Sequence, residues 1–313
     1  MLEFCTLGTG GTLPIPERSL ASLYVRVNGY SLLVDCGEGT QVGVRRLGWG
    51  FRCIDGILLT HFHGDHCTGL AGMLLSLEKA GRTDPVHIWG PHGLKRVVEG
   101  LCIIVPPLSF NVILHEIPNV GTEFEMIGIT IRAFPVNHGG MPCFGYRFEL
   151  KRAPAFDADK AKKLDIPMKD WKSLQLGESV TVNGHEYSLQ DVALKERKGI
   201  TFVYCTDTRP CETLVKNCKG ADMLMLEGMY GDPEKIQQAL KNHHMMMTEA
   251  AEIAAGSGTS KLFLTHYSTS VENPEDYIDE IKAIFPETIL STDGMKGFMR
   301  YPKEQEAAWT SLY

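Results

Sequence analysis

The chain has 313 residues, of which 43% are hydrophobic and 22% are charged. This is enough to bury a large core in a single α/β domain, and no apolar run approaches the ~20 residues that a membrane-spanning helix needs. The segment 1–8 lacks the basic residues and the cleavage site of a secretion signal. The nine cysteines are scattered and form no CxxC pair, so we expect reduced thiols in a cytoplasmic protein.

The formal net charge is −7. Phosphate binding usually shows as an excess of Lys and Arg, so this charge argues mildly against a nucleic-acid partner. Bound divalent cations would add positive charge that the formal count omits. Net charge therefore does not decide whether the partner is a nucleic acid.

The first half of the chain has the apolar and glycine pattern of strands with few helices. Between two of these strands, Asn28-Gly29 is typical of a hairpin, because both central residues of a type I′ turn need a positive φ. The predicted elements are strands at Leu2–Leu7, Ser22–Val27, Tyr30–Val34, Gly56–Thr60, Val86–Trp89, Val112–Ile117, Ile129–Phe134 and Phe144–Leu150, and helices at Gln41–Leu47 and Leu70–Lys79.

Residues 151–198 break this pattern. The segment is rich in charge with little sustained apolar period, and we interpret it as an arm inserted into a single domain that spans 1–313. Beyond it we predict strands at Gly199–Thr206, Ala221–Leu226, Lys261–Thr265 and Thr288–Leu290, and helices at Pro233–Lys241, Thr248–Ala255 and Pro274–Phe285. Strands followed by alternating strands and helices favour an α/β fold with sheets in the middle and helices outside.

A dense group of metal-binding side chains, His61-Phe62-His63-Gly64-Asp65-His66, follows a predicted strand. In an extended chain alternate residues point to the same side, so His61 and His63 could bind one cation. A turn at Gly64 would let Asp65 and His66 face a second cation. Imidazole and carboxylate ligands suit zinc, with manganese or iron as alternatives. The run therefore predicts a site for two divalent metal ions.

Two metals need more ligands than this run supplies. His138 and His266 each follow a predicted strand, and Asp207 closes another. Functional side chains gather in loops beyond strand ends, so these three residues complete the predicted site. Surface or packing roles are assigned to five other histidines: His87, His92, His115, His185 and His243.

The Thr-His-x-His-x-Asp-His run at 60–66, with a later His, Asp and His each at a strand end, resembles the metallo-β-lactamase superfamily over the whole chain. The resemblance implies a four-layer αββα sandwich with two metals in a cleft at the edge of the sheets. It also implies the distribution of the seven ligands: His61, His63 and His138 on one metal, Asp65, His66 and His266 on the other, and Asp207 bridging them.

Several strings resemble the ribonuclease Z family within that superfamily, namely 4–11, 33–41 and 205–210, together with Glu227 ahead of His244-Met245. Members of this family are endonucleases that remove 3′ trailers from tRNA precursors. The resemblance implies that Glu227 pairs with His244 beside the metals, that His244 is a proton donor, and that a homodimer clamps tRNA through the arm. The arm segment Ile166–Glu178 departs from the family because it lacks the Gly-Pro motif that often contacts the tRNA elbow.

The expected reaction is phosphodiester hydrolysis, in which two cations lower the pKa of a shared water and His244 protonates the leaving oxygen. Asp65 could also accept the proton of the water, and Asp35 and Thr60 are expected to fix the ligand loops.

Three other functions remain open on the sequence. One is a hydrolase of the same fold that acts on small phosphodiesters, sulfate esters, lactones or thioesters. Another is an oxidoreductase of the flavodiiron type, which is disfavoured because those proteins have Glu at the position of His63. The last is a non-catalytic RNA-binding or scaffold protein, which would have no need of seven ligands.

Overall fold

The chain divides into two compact units in the computed structural model, which describes residues 1–194, 196–301 and 309–312. The larger unit comprises Met1–Leu150, Ile200–Arg300 and the strand Trp309–Leu312, and the smaller comprises Lys151–Gly199 with Tyr301. Among the residues described, no helix has the length and apolar character needed to cross a membrane.

Strands account for most of the framework. In chain order they are β1 Leu2–Gly8, β2 Ser22–Val27, β3 Tyr30–Val34, β4 Ile54–Leu58, β5 Val86–Pro91, β6 Val112–Ile117, β7 Thr122–Met126, β8 Ile129–Pro135, β9 Phe144–Arg152, β10 Val180–Val182, β11 His185–Tyr187, β12 Arg197–Cys205, β13 Met223–Glu227, β14 Lys261–Thr265, β15 Thr288–Leu290, β16 Lys296–Met299 and β17 Trp309–Leu312.

The helices are shorter elements placed between the strands. They are α1 Thr40–Leu47, α2 Gly64–Cys67, α3 Leu70–Lys79, α4 Leu94–Leu101, α5 Ala158–Lys163, α6 Trp171–Gln175, α7 Glu212–Cys218, α8 Ile236–Asn242, α9 Met247–Ser257 and α10 Ile278–Ile284. Single 3₁₀ turns occur at Met168–Asp170, Leu189–Val192, Pro233–Lys235 and Pro274–Tyr277.

Two large sheets form in the larger unit, with the orders β17-β16-β1-β2-β3-β4-β5-β6 and β15-β14-β13-β12-β9-β8-β7. The strands from β3 to β6 are parallel, and so are those from β12 to β15. Parallel neighbours end at the same edge of a sheet, so the loops that follow β12, β13 and β14 lie side by side. This shared edge is where the functional side chains gather.

The side chains of β1 show how the layers are built. Cys5 and Leu7 point outward and pack with apolar side chains of α1, α3 and α4. Phe4 points the other way, and its ring centroid lies 5.4 Å from that of Phe263 on β14 and 6.1 Å from that of Phe202 on β12. The outer face of the second sheet packs on α7, α9 and α10. The predicted αββα sandwich is thereby confirmed.

Most predicted elements agree with the structure to within two residues, and Asn28 and Gly29 have the positive φ values of 53° and 89° that the hairpin turn needs. The strand predicted at Gly56–Thr60 ends early, at Leu58, because the amide of Thr60 donates to Oδ1 of Asp35 at 2.8 Å. The predicted helix Pro233–Lys241 is a 3₁₀ turn followed by α8. The sequence patterns do not predict ten of the elements: α2, α4, α5, α6, α7, β7, β10, β11, β16 and β17.

The smaller unit has a core of its own, although its sequence shows little apolar periodicity. Ala161, Ile166, Leu174 and Val192 are buried together, and the indole of Trp171 packs on them and donates to the carbonyl of Ile166 at 2.9 Å. These residues come from several short elements and from loops. No single helix or strand is therefore long enough to show the pattern in the sequence.

A substitution of Phe4 tests the packing between the two sheets. Phe4→Ala should lower the free energy of unfolding by about 3–5 kcal/mol, because it leaves a cavity against Phe202 and Phe263. Ile103→Ala is the control, since Ile103 is 84% exposed and should change stability by less than about 0.5 kcal/mol. Denaturant titration measures both, and equal effects would contradict the assignment of Phe4 to the centre of the sandwich.

Candidate metal centre

The loop that carries the histidine run is held by the buried carboxylate of Asp35, at the end of β3. Thr60 donates its amide and its hydroxyl to Oδ1 of Asp35 at 2.8 and 3.0 Å. Nδ1 of His66 lies 2.8 Å from Oδ2 of Asp35, which can only accept, so Nδ1 carries a proton. The lone pair of His66 is therefore on Nε2, the nitrogen that faces the cluster.

The backbone after Asp35 packs directly against this loop. Cys36 donates its amide to the carbonyl of His66 at 2.8 Å. A Cβ at Gly37 would lie 2.0 Å from the carbonyl oxygen of Asp65, so the two loops can approach this closely only with glycine there. The string at 33–41 therefore has a structural role, because its backbone packs against the loop that carries the histidine run and supports it.

One group of possible ligands consists of His61, His63, His138 and Asp207, with one ligand atom from each lying within 4.8 Å of the others. Nε2 of His61 and Nε2 of His138 lie 3.7 and 3.8 Å from Oδ2 of Asp207. Nδ1 of His138 donates to the carbonyl of His243 at 3.2 Å, which directs Nε2 into the group. These four side chains could hold one metal ion.

A second group, Asp65, His66 and His266, lies on the other side of Asp207. Nε2 of His66 and Nε2 of His266 lie 3.2 and 3.1 Å from Oδ1 of Asp207, and 3.5 and 3.6 Å from Oδ2 of Asp65. The amide of Thr12 donates to the same oxygen of Asp65 at 2.7 Å and fixes its carboxylate. All seven residues singled out in the sequence thus meet at one place.

In the part of the chain that the structure describes, buried polar atoms without hydrogen-bond partners lie where the two groups of side chains meet, and they are suited to binding cations. Asp207 is buried, with one oxygen toward each group, and among the residues described its Oδ1 and Nε2 of His61 have no hydrogen-bond partner. Lone pairs that face one another at such distances repel, and unsatisfied polar atoms are costly to bury. A positive charge between them, as protons or as metal ions, removes that cost. The cluster is therefore compatible with binding two metal ions.

The electrostatic environment favours protons on two of the clustered histidines, His66 and His266. Burial alone would lower the pKa of His66, but the carboxylates of Asp207 and Asp35 raise it well above its ordinary value. For His266, burial also opposes the charge, yet Asp207 and Asp65 raise the pKa to about 10. Burial keeps the pKa of His61 well below its usual range. Cations would have to displace protons from His66 and His266 but not from His61.

Glu227 and His244 form a pair at the edge of the cluster. Nδ1 of His244 lies 2.8 Å from Oε2 of Glu227, which is fully buried. The other oxygen of Glu227 accepts from the amides of Thr208 at 2.6 Å and Met245 at 3.2 Å. Burial would lower the pKa of His244, but Glu227 raises it above the usual value.

His244 also lies near the metal cluster. Its Nδ1 is 3.9 Å from Oδ2 of Asp207, so Asp207, His244 and His266 form a third group that could hold an ion. The hydrogen bond to Glu227 occupies that nitrogen, however, and leaves Nε2 for another partner. None of the other five histidines contributes to the three groups found among the described residues.

Several contacts at the site could not be read from the sequence. They include the amide of Thr12 on Asp65, the carbonyl of His243 on His138, and the amide of Thr208 on Glu227. All three contacts are made by backbone groups, so the types of residue in the sequence do not predict them. Arg209, which donates to the carbonyl of His244 at 2.6 Å, lies in the string 205–210 that resembles the family, but its partner could not be assigned.

The chain is similar to known proteins over most of its length. The sequence matches the beta-lactamase superfamily domain over residues 30–159 and 167–267. Ribonuclease Z of Lachnospira eligens is 43% identical over 304 residues, which cover 97% of this chain and 100% of the relative. Ribonuclease Z of Clostridium acetobutylicum is 40% identical over 299 residues, covering 94% and 96%.

Among solved structures, the short form of human tRNase Z superposes with a TM-score of 0.68 at 22% identity, covering 96% of this chain and 100% of the human chain. At this identity the similarity establishes a shared fold. The bacterial relatives establish more, because they are similar over nearly the full length of the chain. The protein is a metal-dependent hydrolase that belongs to the ribonuclease Z family of the beta-lactamase superfamily.

Proposed function

We propose that the protein is an endoribonuclease that removes 3′ trailers from tRNA precursors with the help of two divalent cations, zinc by preference. The observation that carries this proposal is the Glu227–His244 pair beside Asp207. A ribose oxygen is a poor leaving group and needs a proton, whereas the activated ester of a small substrate does not. A buried His–Glu pair next to the metal cluster supports chemistry on a nucleic-acid backbone.

The proposed ligands follow the two groups of the structure. His61, His63 and His138 would hold one ion, Asp65, His66 and His266 the other, and Asp207 would belong to both. Nitrogen and carboxylate ligands in this number suit zinc. Two such cations supply Lewis acidity, which lowers the pKa of a water toward neutrality and neutralises charge on the phosphoryl oxygens.

The chain's own side chains would move the protons. His244, whose pKa is raised by Glu227, would donate a proton to the leaving oxygen. Asp65 has a pKa held well below its usual range: burial opposes this shift, but hydrogen bonds from His266 and His66 exceed it. We assign to Asp65 the further role of accepting the proton of the attacking water. Asp35 keeps His66 in the correct tautomer throughout.

We also propose that the smaller unit contacts the RNA and that the protein works as a homodimer, as in the family that it resembles. The exposed side chains of α5, of the 3₁₀ turn after it and of α6 supply cationic groups for phosphate contacts: Lys160, Lys162, Lys163, Lys169 and Lys172. The side chain of Asp157 caps α5 by accepting from the amides of Asp159 and Lys160, so this basic turn has a defined start.

Cleavage of a 3′-extended tRNA precursor tests the proposed function. The zinc-loaded protein should release the trailer as one intact fragment, whereas an exonuclease would give a ladder. Asp207→Ala should abolish this cleavage and lower the metal content below two ions per chain, because both groups share this carboxylate. Hydrolysis of bis(p-nitrophenyl) phosphate with no cleavage of any precursor would contradict the RNA assignment and favour a hydrolase of small diesters.

Metal binding should release protons. At pH 7 we expect about two per chain, one from His66 and one from His266, because nearby carboxylates raise the pKa of His66 well above its ordinary value and that of His266 to about 10. Release should fall as the pH approaches 10, where His266 is already partly deprotonated, and the apparent affinity for zinc should rise with pH. Titration calorimetry in two buffers of different ionisation enthalpy measures the number.

Asp35→Asn is the matched variant for this titration. It removes one of the two carboxylates that raise the pKa of His66, so fewer protons should be released at pH 7 than from the wild-type protein. A heat of binding that is the same in both buffers would contradict the proposed protonation of the site.

Leaving-group dependence should identify the role of His244. His244→Ala should keep two metal ions but cleave RNA at least ~10²-fold more slowly. The loss should be smaller on bis(p-nitrophenyl) phosphate, whose leaving group needs little protonation. His92→Ala is the control, because His92 is paired with Glu116 at 2.9 Å in the same way but is exposed and outside the cluster. Loss of a metal ion, or equal losses on both substrates, would show that His244 is not a general acid.

A further inference from the structure

We infer that Arg209 is a positioning residue for the proton donor: it holds the backbone of His244 in a fixed relation to the bridging carboxylate of Asp207. The inference deepens the proposed function and rests on it, because it assumes that His244 protonates the leaving oxygen. It is based on hydrogen bonds that residues 208 and 209, next to Asp207 in the chain, make to Glu227 and to the backbone of the loop that carries His244.

The side chain of Arg209 bonds to the donor loop directly. Nη1 donates to the carbonyl oxygen of His244 at 2.6 Å and to Oε2 of Glu249 at 2.7 Å, and Nη2 donates to Oε1 of Glu249. Both side chains are largely buried, at 14% and 20% exposure. A two-bond Arg–carboxylate contact has a defined plane, which makes it a rigid support.

Glu249 adds a second support on the C-terminal side of His244. Its Oε2 accepts from the amide of Met246 at 2.9 Å, at the start of α9. The carbonyl at 244 and the amide at 246 are thus fixed to the same ion pair. Only four residues, 243–246, separate α8 from α9. The short loop that carries His244 is therefore held at the two peptide groups that follow His244.

The backbone next to Arg209 connects this loop to the metal cluster. Thr208 donates its amide to Oε1 of Glu227, and Arg209 donates its amide to the carbonyl of Asn137 at 2.9 Å, beside His138. Residues 207–209 thereby supply the bridging carboxylate, a support for the partner of His244, and the side chain that holds the His244 backbone. A displacement of about 1 Å between a catalytic group and its target can cost about 10²-fold in rate.

The bonding pattern alone does not require a catalytic role, as Arg147 shows. Arg147 donates from Nε to Glu149 at 2.6 Å and from Nη1 to the carbonyl of Asn217 at 2.5 Å, and it touches none of the seven clustered residues. It therefore provides a matched control with the same chemistry. What distinguishes Arg209 is that its carbonyl partner belongs to His244.

The test compares Arg209→Met with Arg147→Met in the full-length, zinc-loaded protein. On a 3′-extended tRNA precursor, Arg209→Met should lower kcat about 10- to 100-fold with KM changed by less than about 3-fold. The loss on bis(p-nitrophenyl) phosphate should be several-fold smaller. Arg209→Lys should recover part of the rate, since an ammonium can donate to one of the two partners. Arg147→Met should keep the wild-type rate on the precursor.

A double variant separates positioning from general destabilisation. Arg209→Met added to His244→Ala should be no slower than His244→Ala alone, because no proton donor remains to be positioned. A further loss of 10-fold or more in the double variant, equal losses on both substrates, loss of a metal ion, or an effect confined to KM would overturn the inference. If the wild-type protein leaves the precursor intact, the proposed function fails, and this outcome is distinct from any result of the variants.

Discussion

The buried carboxylate of Asp207 is the group on which the rest of the site depends. Its two oxygens face two sets of imidazoles, and the nearest ring nitrogens lie only 3.1 and 3.2 Å away. Burial opposes its charge, but His266, His66 and His61 hold its pKa well below the usual range. So many lone pairs in one buried volume require compensating positive charge. The fold therefore holds a place that protons or metal ions must fill.

Two further carboxylates each orient an imidazole near Asp207, and each does so through a contact with Nδ1 of the ring. Asp35 accepts from Nδ1 of His66, and Glu227 lies at the same 2.8 Å from Nδ1 of His244. The position of the ring relative to Asp207 separates the two roles. Nε2 of His66 faces Oδ1 of Asp207, as expected of the metal ligand that we propose, whereas the nitrogen of His244 nearest to Asp207 is the one bonded to Glu227. In His244 this leaves Nε2 available for a substrate.

Parallel strands explain how these groups come together from distant parts of the chain. Asp207 follows β12, Glu227 ends β13 and His266 follows β14, and these three strands are adjacent in the second sheet. The histidine run follows β4 of the first sheet. Phe4 packs against Phe202 and Phe263 and holds the two sheets together, so the stability of the sandwich and the geometry of the site depend on the same core.

The sequence by itself determined the elements whose pattern is local: the long strands, the Asn28-Gly29 turn, and a histidine run dense enough to indicate metals. His138, Asp207 and His266 could also be selected, because each follows a strand whose apolar run is visible. Only the tertiary structure decided which ring nitrogen faces the centre, how Arg209 and Glu249 hold His244, and that the arm has a core. Those features depend on backbone hydrogen bonds and on contacts between residues far apart in the chain. Neither kind of interaction produces a periodic pattern in the sequence, because both depend on how the sheets and loops pack.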